Sequence, residues 1–100
     1  MAINTITLEK AILSAIESMK EEFDTHQLIL ELAKKNQRTY VTALHESDSD
    51  YPFQTVHSAI GKLLKRISLE PYANIIEKEQ TSNSLNIFGE YSSCSSWAKL

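Results

Sequence analysis

The sequence predicts an α+β fold, mostly α: three or four helices followed by a two-stranded antiparallel β ribbon. Three observations carry this. Apolar residues recur at helical spacing from Leu8 to Ile67. The stretch Pro52 to Ile67, PFQTVHSAIGKLLKRI, has one apolar stripe of Val56, Ile60, Leu63, Leu64 and Ile67. Two alternating runs, YANIIEKE and LNIFGEY, then flank a polar turn near the end. A chain of 100 residues is one domain's worth, so 1–100 is read as a single domain.

The first helix is expected at about 7–22, with Thr7 as N-cap and Leu8, Ile12, Ala15, Ile16 and Met19 buried. Its end, Glu17 to Glu22, is a solvated acidic face. A second helix is expected at about 24–35, capped by Asp24 or Thr25 and stapled by Phe23 onto Leu28. Leu28, Ile29, Leu32 and Ala33 face its core side. Lys34 and Lys35 suit the negative end of its dipole, and Asn36 suits a left-handed terminal residue.

Gln37 to Glu46 is shorter, and Tyr40, Val41 and Leu44 at helical spacing place a third helix at about 38–46. Tyr-Val-Thr is also strand-forming, but no partner run lies near. Ser47 to Asp50 is a polar loop. Pro52 opens the fourth helix, about 52–67, where a missing N–H costs nothing. Gly61 within it costs roughly 1 kcal/mol against Ala. Close helix packing or close approach to a partner would explain it.

The expected strands are about 72–79 and 85–91, with Ile75, Leu85 and Ile87 inward and Ile76 or Phe88 outward. Residues 92–100 form a Ser-rich tail whose Trp97 docks on the body.

Composition excludes several classes. No apolar run approaches membrane-spanning length, so no membrane partner is expected. The N-terminus lacks a basic segment with an apolar core, so it is not a secretory leader, and Met1 reads as a natural start. The lone cysteine, Cys94, fits a reducing, cytoplasmic setting. Nothing looks catalytic, and no enzyme is expected. Two glycines cannot build a phosphate-cradling loop. His26, His45 and His57 lack zinc-site spacing, and His45, Glu46, Asp48 and Asp50 do not follow the calcium-loop pattern. Neither a metal nor a cofactor is expected.

Charge is uneven. The net charge is −3, with −4 in residues 1–50 and +1 in residues 51–100. Lys34, Lys35, Arg38, Lys62, Lys65 and Arg66 all fall between 34 and 66. Local potential, more than net charge, steers a charged partner.

The order helix, helix, short helix, long helix, strand, turn, strand resembles the winged helix-turn-helix DNA-binding superfamily over about residues 5 to 91. FDTHQLILELAKK, PFQTVHSAIGKLLKRI and the strand pair carry the resemblance, with Ile60-Gly61-Lys62-Leu63-Leu64 as its most recurrent piece. It implies that helix 52–67 enters the major groove of duplex DNA. Gln54, Thr55 and Ser58, with His57 at the margin, would meet base edges. Lys62, Lys65, Arg66, Lys34, Lys35 and Arg38 would meet phosphates. Thr81, Ser82, Asn83 and Ser84 would form the wing tip, against backbone or minor groove. The chain departs from this pattern in its bare wing turn and in Glu77, Glu79, Asp48 and Asp50. A transcription-regulator-like DNA binder, strengthened by homodimerisation, is one expectation. The alternative is a protein-interaction module on the same scaffold. A four-helix bundle with a separate hairpin is the structural alternative.

Overall fold

A computed structural model describes residues 3–100. The first two positions of the expected 1–100 domain, Met1 and Ala2, lie outside the described residues. The architecture is α+β, four helices with small antiparallel sheets: α1 (Thr5–Ser18), β1 (Glu22–Asp24), α2 (Thr25–Lys35), α3 (Gln37–Glu46), α4 (Pro52–Leu69), β2 (Ile75–Glu77), β3 (Ser82–Leu85), β4 (Tyr91–Cys94) and β5 (Ser96–Lys99).

Asn4 caps α1, not Thr7. Its Oδ1 accepts the Thr7 amide at 3.1 Å, so the helix begins two residues earlier than expected. It also ends at Ser18 rather than near Glu22, because Glu22 is drawn into β1. Phe23 is accordingly a buried strand residue and lies opposite Trp97. Asp24 caps α2 through a reciprocal box. Its Oδ1 accepts the Gln27 amide at 2.8 Å, and Gln27 Oε1 accepts the Asp24 amide at 2.9 Å.

Asn36 joins α2 to α3 with φ −129°, so it is not left-handed. It leads straight into the next helix, where a left-handed turn would swing the chain away. The left-handed residue is Asp48 instead, φ 49°, just past the end of α3. Pro52 sits in the first turn of α4 as expected, and α4 runs on to Leu69.

The C-terminal third departs most from expectation. Ile75–Glu77 does not pair with 85–91. It pairs antiparallel with β5, which also pairs with β1, giving a three-stranded sheet in the order β1-β5-β2. β3 and β4 form a separate hairpin inserted between β2 and β5. Residues 86–90 are its turn, not a strand. The Asn86 amide reaches Glu90 O, and the Gly89 amide reaches Asn86 O. Asn86 Oδ1 accepts the amides of Phe88 and Glu90, and Gly89 takes φ 79°. That is a tight turn closed by a left-handed glycine. Residues 81–84 are therefore not the tip: Ser82–Leu85 is strand β3. Nor are residues 92–100 a tail, since most belong to β4 and β5.

Trp97 is the reason the end of the chain is drawn in. It is 1% exposed at the centre of the three-stranded sheet, and its Nε1 donates to Thr25 Oγ1 at 3.0 Å. Phe23, Ile75 and Trp97 join the α1, α2 and α4 stripes in one core. The core side of α3 is Tyr40 and Ala43, while the expected Val41 is exposed. Leu85, expected inward, is also exposed, and Ile87 packs on the core edge. Lys99 reaches across to the end of α1, donating to the carbonyls of Glu17 and Met19 at 3.3 and 2.9 Å. A cation there satisfies carbonyls that lack helical partners. No helix among the described residues is long and apolar enough to cross a membrane.

Candidate nucleic-acid interface

α4 buries Val56, Ile60, Leu63, Leu64 and Ile67 and turns its other side outward. Gln54, Ser58 and Lys62, spaced four apart, are all exposed. With Thr55, Ala59 and Ile3 they line one shallow, open groove along the helix. An i, i+4, i+8 ladder of this kind lies nearly straight along a helix surface. Gln54 brings an amide that donates and accepts, Ser58 a hydroxyl and Lys62 a positive charge. Thr55 contributes less, because its hydroxyl donates back to Tyr51 O at 3.1 Å. Gly61 does not mark close packing within the fold. Beyond its own helix backbone, a Cβ placed there meets nothing within 4 Å among the described residues.

His57 does not belong to this groove. Its Nε2 lies 2.6 Å from Tyr40 Oη, and its ring stacks on Tyr40 at 5.9 Å. Phe53 and Phe88 complete the cluster, with their own rings edge-to-face at 5.2 Å. Burial, and then the nearby His26, hold the His57 pKa below its ordinary 6.5. Burial pushes the Tyr40 phenol up. A neutral imidazole and a protonated phenol share this hydrogen bond, and in the tautomer protonated at Nδ1 the phenol donates to Nε2. Phe88 brings the hairpin tip against the first turns of α4.

The six cations do not form one field. Lys65 pairs with Glu77 on β2, and Arg66 pairs with Glu9 on α1 at 2.6 Å. The Glu9 carboxylate raises the Arg66 pKa further. Both heads are thus spoken for inside the molecule. Lys34, Lys35, Arg38 and Lys62 have no carboxylate partner among the described residues. Only Lys62 lies in the α4 groove. Arg38 lines a depression between the start of α1 and α3, and Lys34 lines another beside Glu22 and Glu31.

The residues expected at a wing tip face inward in part. Ser82 Oγ donates to Asp24 Oδ2 at 2.8 Å, and Ser84 Oγ lies 2.9 Å from His26 Nδ1. Ser92 Oγ meets the other His26 nitrogen at 3.2 Å. Burial would raise the Asp24 pKa. Hydrogen bonds from the Gln27 amide, Ser84 and Ser82, with the His26 charge, outweigh it and hold the carboxyl below its ordinary value. Thr81 and Asn83 remain exposed. This cluster is invisible in the sequence, because Asp24 and His26 meet Ser82 and Ser84 across 58 residues of chain. The partnership of Phe53 with Phe88 is equally hidden there. Its one available signal is Asn86 with Gly89, which mark a turn and so place Phe88 at a tip.

Comparisons with protein-family models, with curated proteins and with solved structures returned no match. What the chain does is therefore read from its own surface.

Proposed function

We propose that this chain is a small, non-enzymatic winged-helix protein that binds duplex DNA through α4. The observation that carries the reading is the exposed ladder Gln54, Ser58 and Lys62 in one open groove, on the last helix before the sheet. Gln54 and Ser58 reach base edges, Gln54 as the donor–acceptor pair that suits adenine, and Lys62 meets a phosphate. Support for the scaffold comes from the strand order β1-β5-β2 with a hairpin inserted between β2 and β5. That arrangement gives one long helix beside one projecting ribbon, as a winged helix requires.

Fluorescence anisotropy with a pool of labelled duplexes at 50 mM salt, a condition on the order of that used for salt-sensitive DNA binders, tests this. Saturable binding is expected. Gln54→Ala should relax sequence preference by about 1–3 kcal/mol at one position and leave non-specific binding intact. Unsaturable or absent binding of every duplex would count against the reading.

A second reading has its own observation. Tyr51, Phe53, Phe88 and Tyr91 are exposed on the α4 start and the hairpin, and no cation lies in the hairpin's turn. Exposed aromatics suit a protein partner. On that reading the complex persists at high salt, and sedimentation shows self-association or a retained partner. A monomer at all salt concentrations together with salt-sensitive DNA binding favours the first.

A further inference from the structure

We propose that Asp24, His26 and Cys94 form a zinc site that clamps the hairpin to the start of α2. The three donor atoms lie within 4.8 Å of one another. They come from three places: the end of β1, the first turn of α2 and the end of β4. Folding alone gathers them, because two sit at the N-terminal side and the third is 68 residues on from His26.

The donor set selects the metal. One thiolate, one imidazole and one carboxylate are the mixed sulfur, nitrogen and oxygen set that Zn2+ takes, whereas Ca2+ and Mg2+ want oxygens alone. Tetrahedral zinc holds its donors roughly 3.3–3.8 Å apart, given metal–ligand bonds of about 2.0–2.3 Å. A contraction of about 1 Å brings the cluster to that spacing. Three protein donors leave the fourth position to water.

The surroundings already suit such a site. Both His26 nitrogens face hydroxyls, Ser84 at Nδ1 and Ser92 at Nε2. A metal replaces one hydroxyl, and the other then accepts the remaining ring N–H and holds the imidazole in place. Asp24 keeps its Gln27 and Ser82 hydrogen bonds, since each carboxylate oxygen has two lone pairs. Ser84 also approaches Cys94 Sγ at 4.0 Å. Cys94 and His26 are each partly open to solvent, which gives the ion a way in. Binding displaces the thiol proton and forms one metal–sulfur bond, with no change of oxidation state.

The test uses the full chain, reduced and stripped of metal, titrated with Co2+ as a spectroscopic stand-in for Zn2+. One equivalent should saturate a sulfur-to-cobalt charge-transfer band, and Zn2+ should abolish it. Cys94→Ser should eliminate the band. His26→Gln and Asp24→Asn should weaken binding a hundredfold or so, and of Ser92→Ala and Ser84→Ala the one that removes the hydroxyl on the metal-free ring nitrogen should weaken it about tenfold. Asn still caps α2, so Asp24→Asn separates the lost ligand from a lost helix start. Zn2+ should raise the melting temperature of the wild type and not of Cys94→Ser. Three results would each overturn the proposal. One is no charge-transfer band at saturating Co2+. Another is a band that persists in both Cys94→Ser and His26→Gln. The third is saturation at half an equivalent with a dimer in sedimentation, which means an ion bridging two copies. None of these readouts depends on DNA, so failure here leaves the α4 proposal standing.

Discussion

At the scale of single residues, burial decides what a side chain is free to do. His57 stands on the same helix as the polar ladder, but its ring is taken up by Tyr40, Phe53 and Phe88. Burial lowers its pKa from 6.5, so the unfolded chain protonates this histidine before the folded chain does. Stability is then intact above about 6.5 and falls as pH drops from there through the lower folded value. Denaturant melts across that window should show the loss, and His57→Phe should flatten it. Trp97 is the other decisive residue. Its burial and its bond to Thr25 hold β5 between two strands. Trp97→Ala should cost about 3–5 kcal/mol in chemical unfolding, and Trp97→Phe less. The sequence pointed to a docked tryptophan, but a single aromatic in a Ser-rich stretch carries no register. Only its pairing with Phe23 and Glu77 makes a strand of it.

At the scale of elements, the helices were legible, and of the strands only β2, within the expected 72–79, was. α2, α3 and α4 fall within two residues of expectation, because each buries a repeated stripe and is bounded by Asp24, Asn36 or Pro52. β1 is three residues long and β5 four, too short for alternation to register. Their existence depends on partners more than 70 residues apart, as with Glu22 and Ala98. In the candidate site, Gln54, Ser58 and Lys62 were legible from helical period alone, since three exposed polar residues at spacing four must share a face. The loss of Lys65 and Arg66 to Glu77 and Glu9 was not legible, being a matter of tertiary neighbours. Gly61 yields a prediction at this scale. An added methyl group there meets no atom of another element among the described residues, so Gly61→Ala should stabilise α4 by about 1 kcal/mol in unfolding experiments. If DNA approaches here, the same variant should bind more weakly while melting higher. The hairpin offers the reverse case. Gly89 at φ 79° should resist replacement, and Gly89→Ala should lose about 1 kcal/mol.

At the scale of the whole molecule, electrostatics sets the strength of any DNA complex. The net charge of −3 opposes approach, and four of the six candidate cations lack carboxylate partners among the described residues. Each phosphate contact adds about −0.9 to the slope of log affinity against log salt. The slope for a monomer should therefore lie between about −1, for Lys62 alone, and about −4, for all four. A steeper slope indicates two copies on one duplex. Glu77→Gln should release Lys65 and strengthen binding severalfold, a gain that a purely local view of α4 does not expect.

The most direct measurement is the salt dependence of duplex binding for the wild type and Lys62→Glu, side by side. Lys62 is exposed and has no carboxylate partner among the described residues, so its reversal leaves the fold intact. DNA binding through α4 predicts measurable wild-type affinity at low salt. It also predicts a slope reduced by about one in the variant, with binding largely lost. Equal affinities and equal slopes for the two proteins, or no binding by the wild type at any salt, would contradict it.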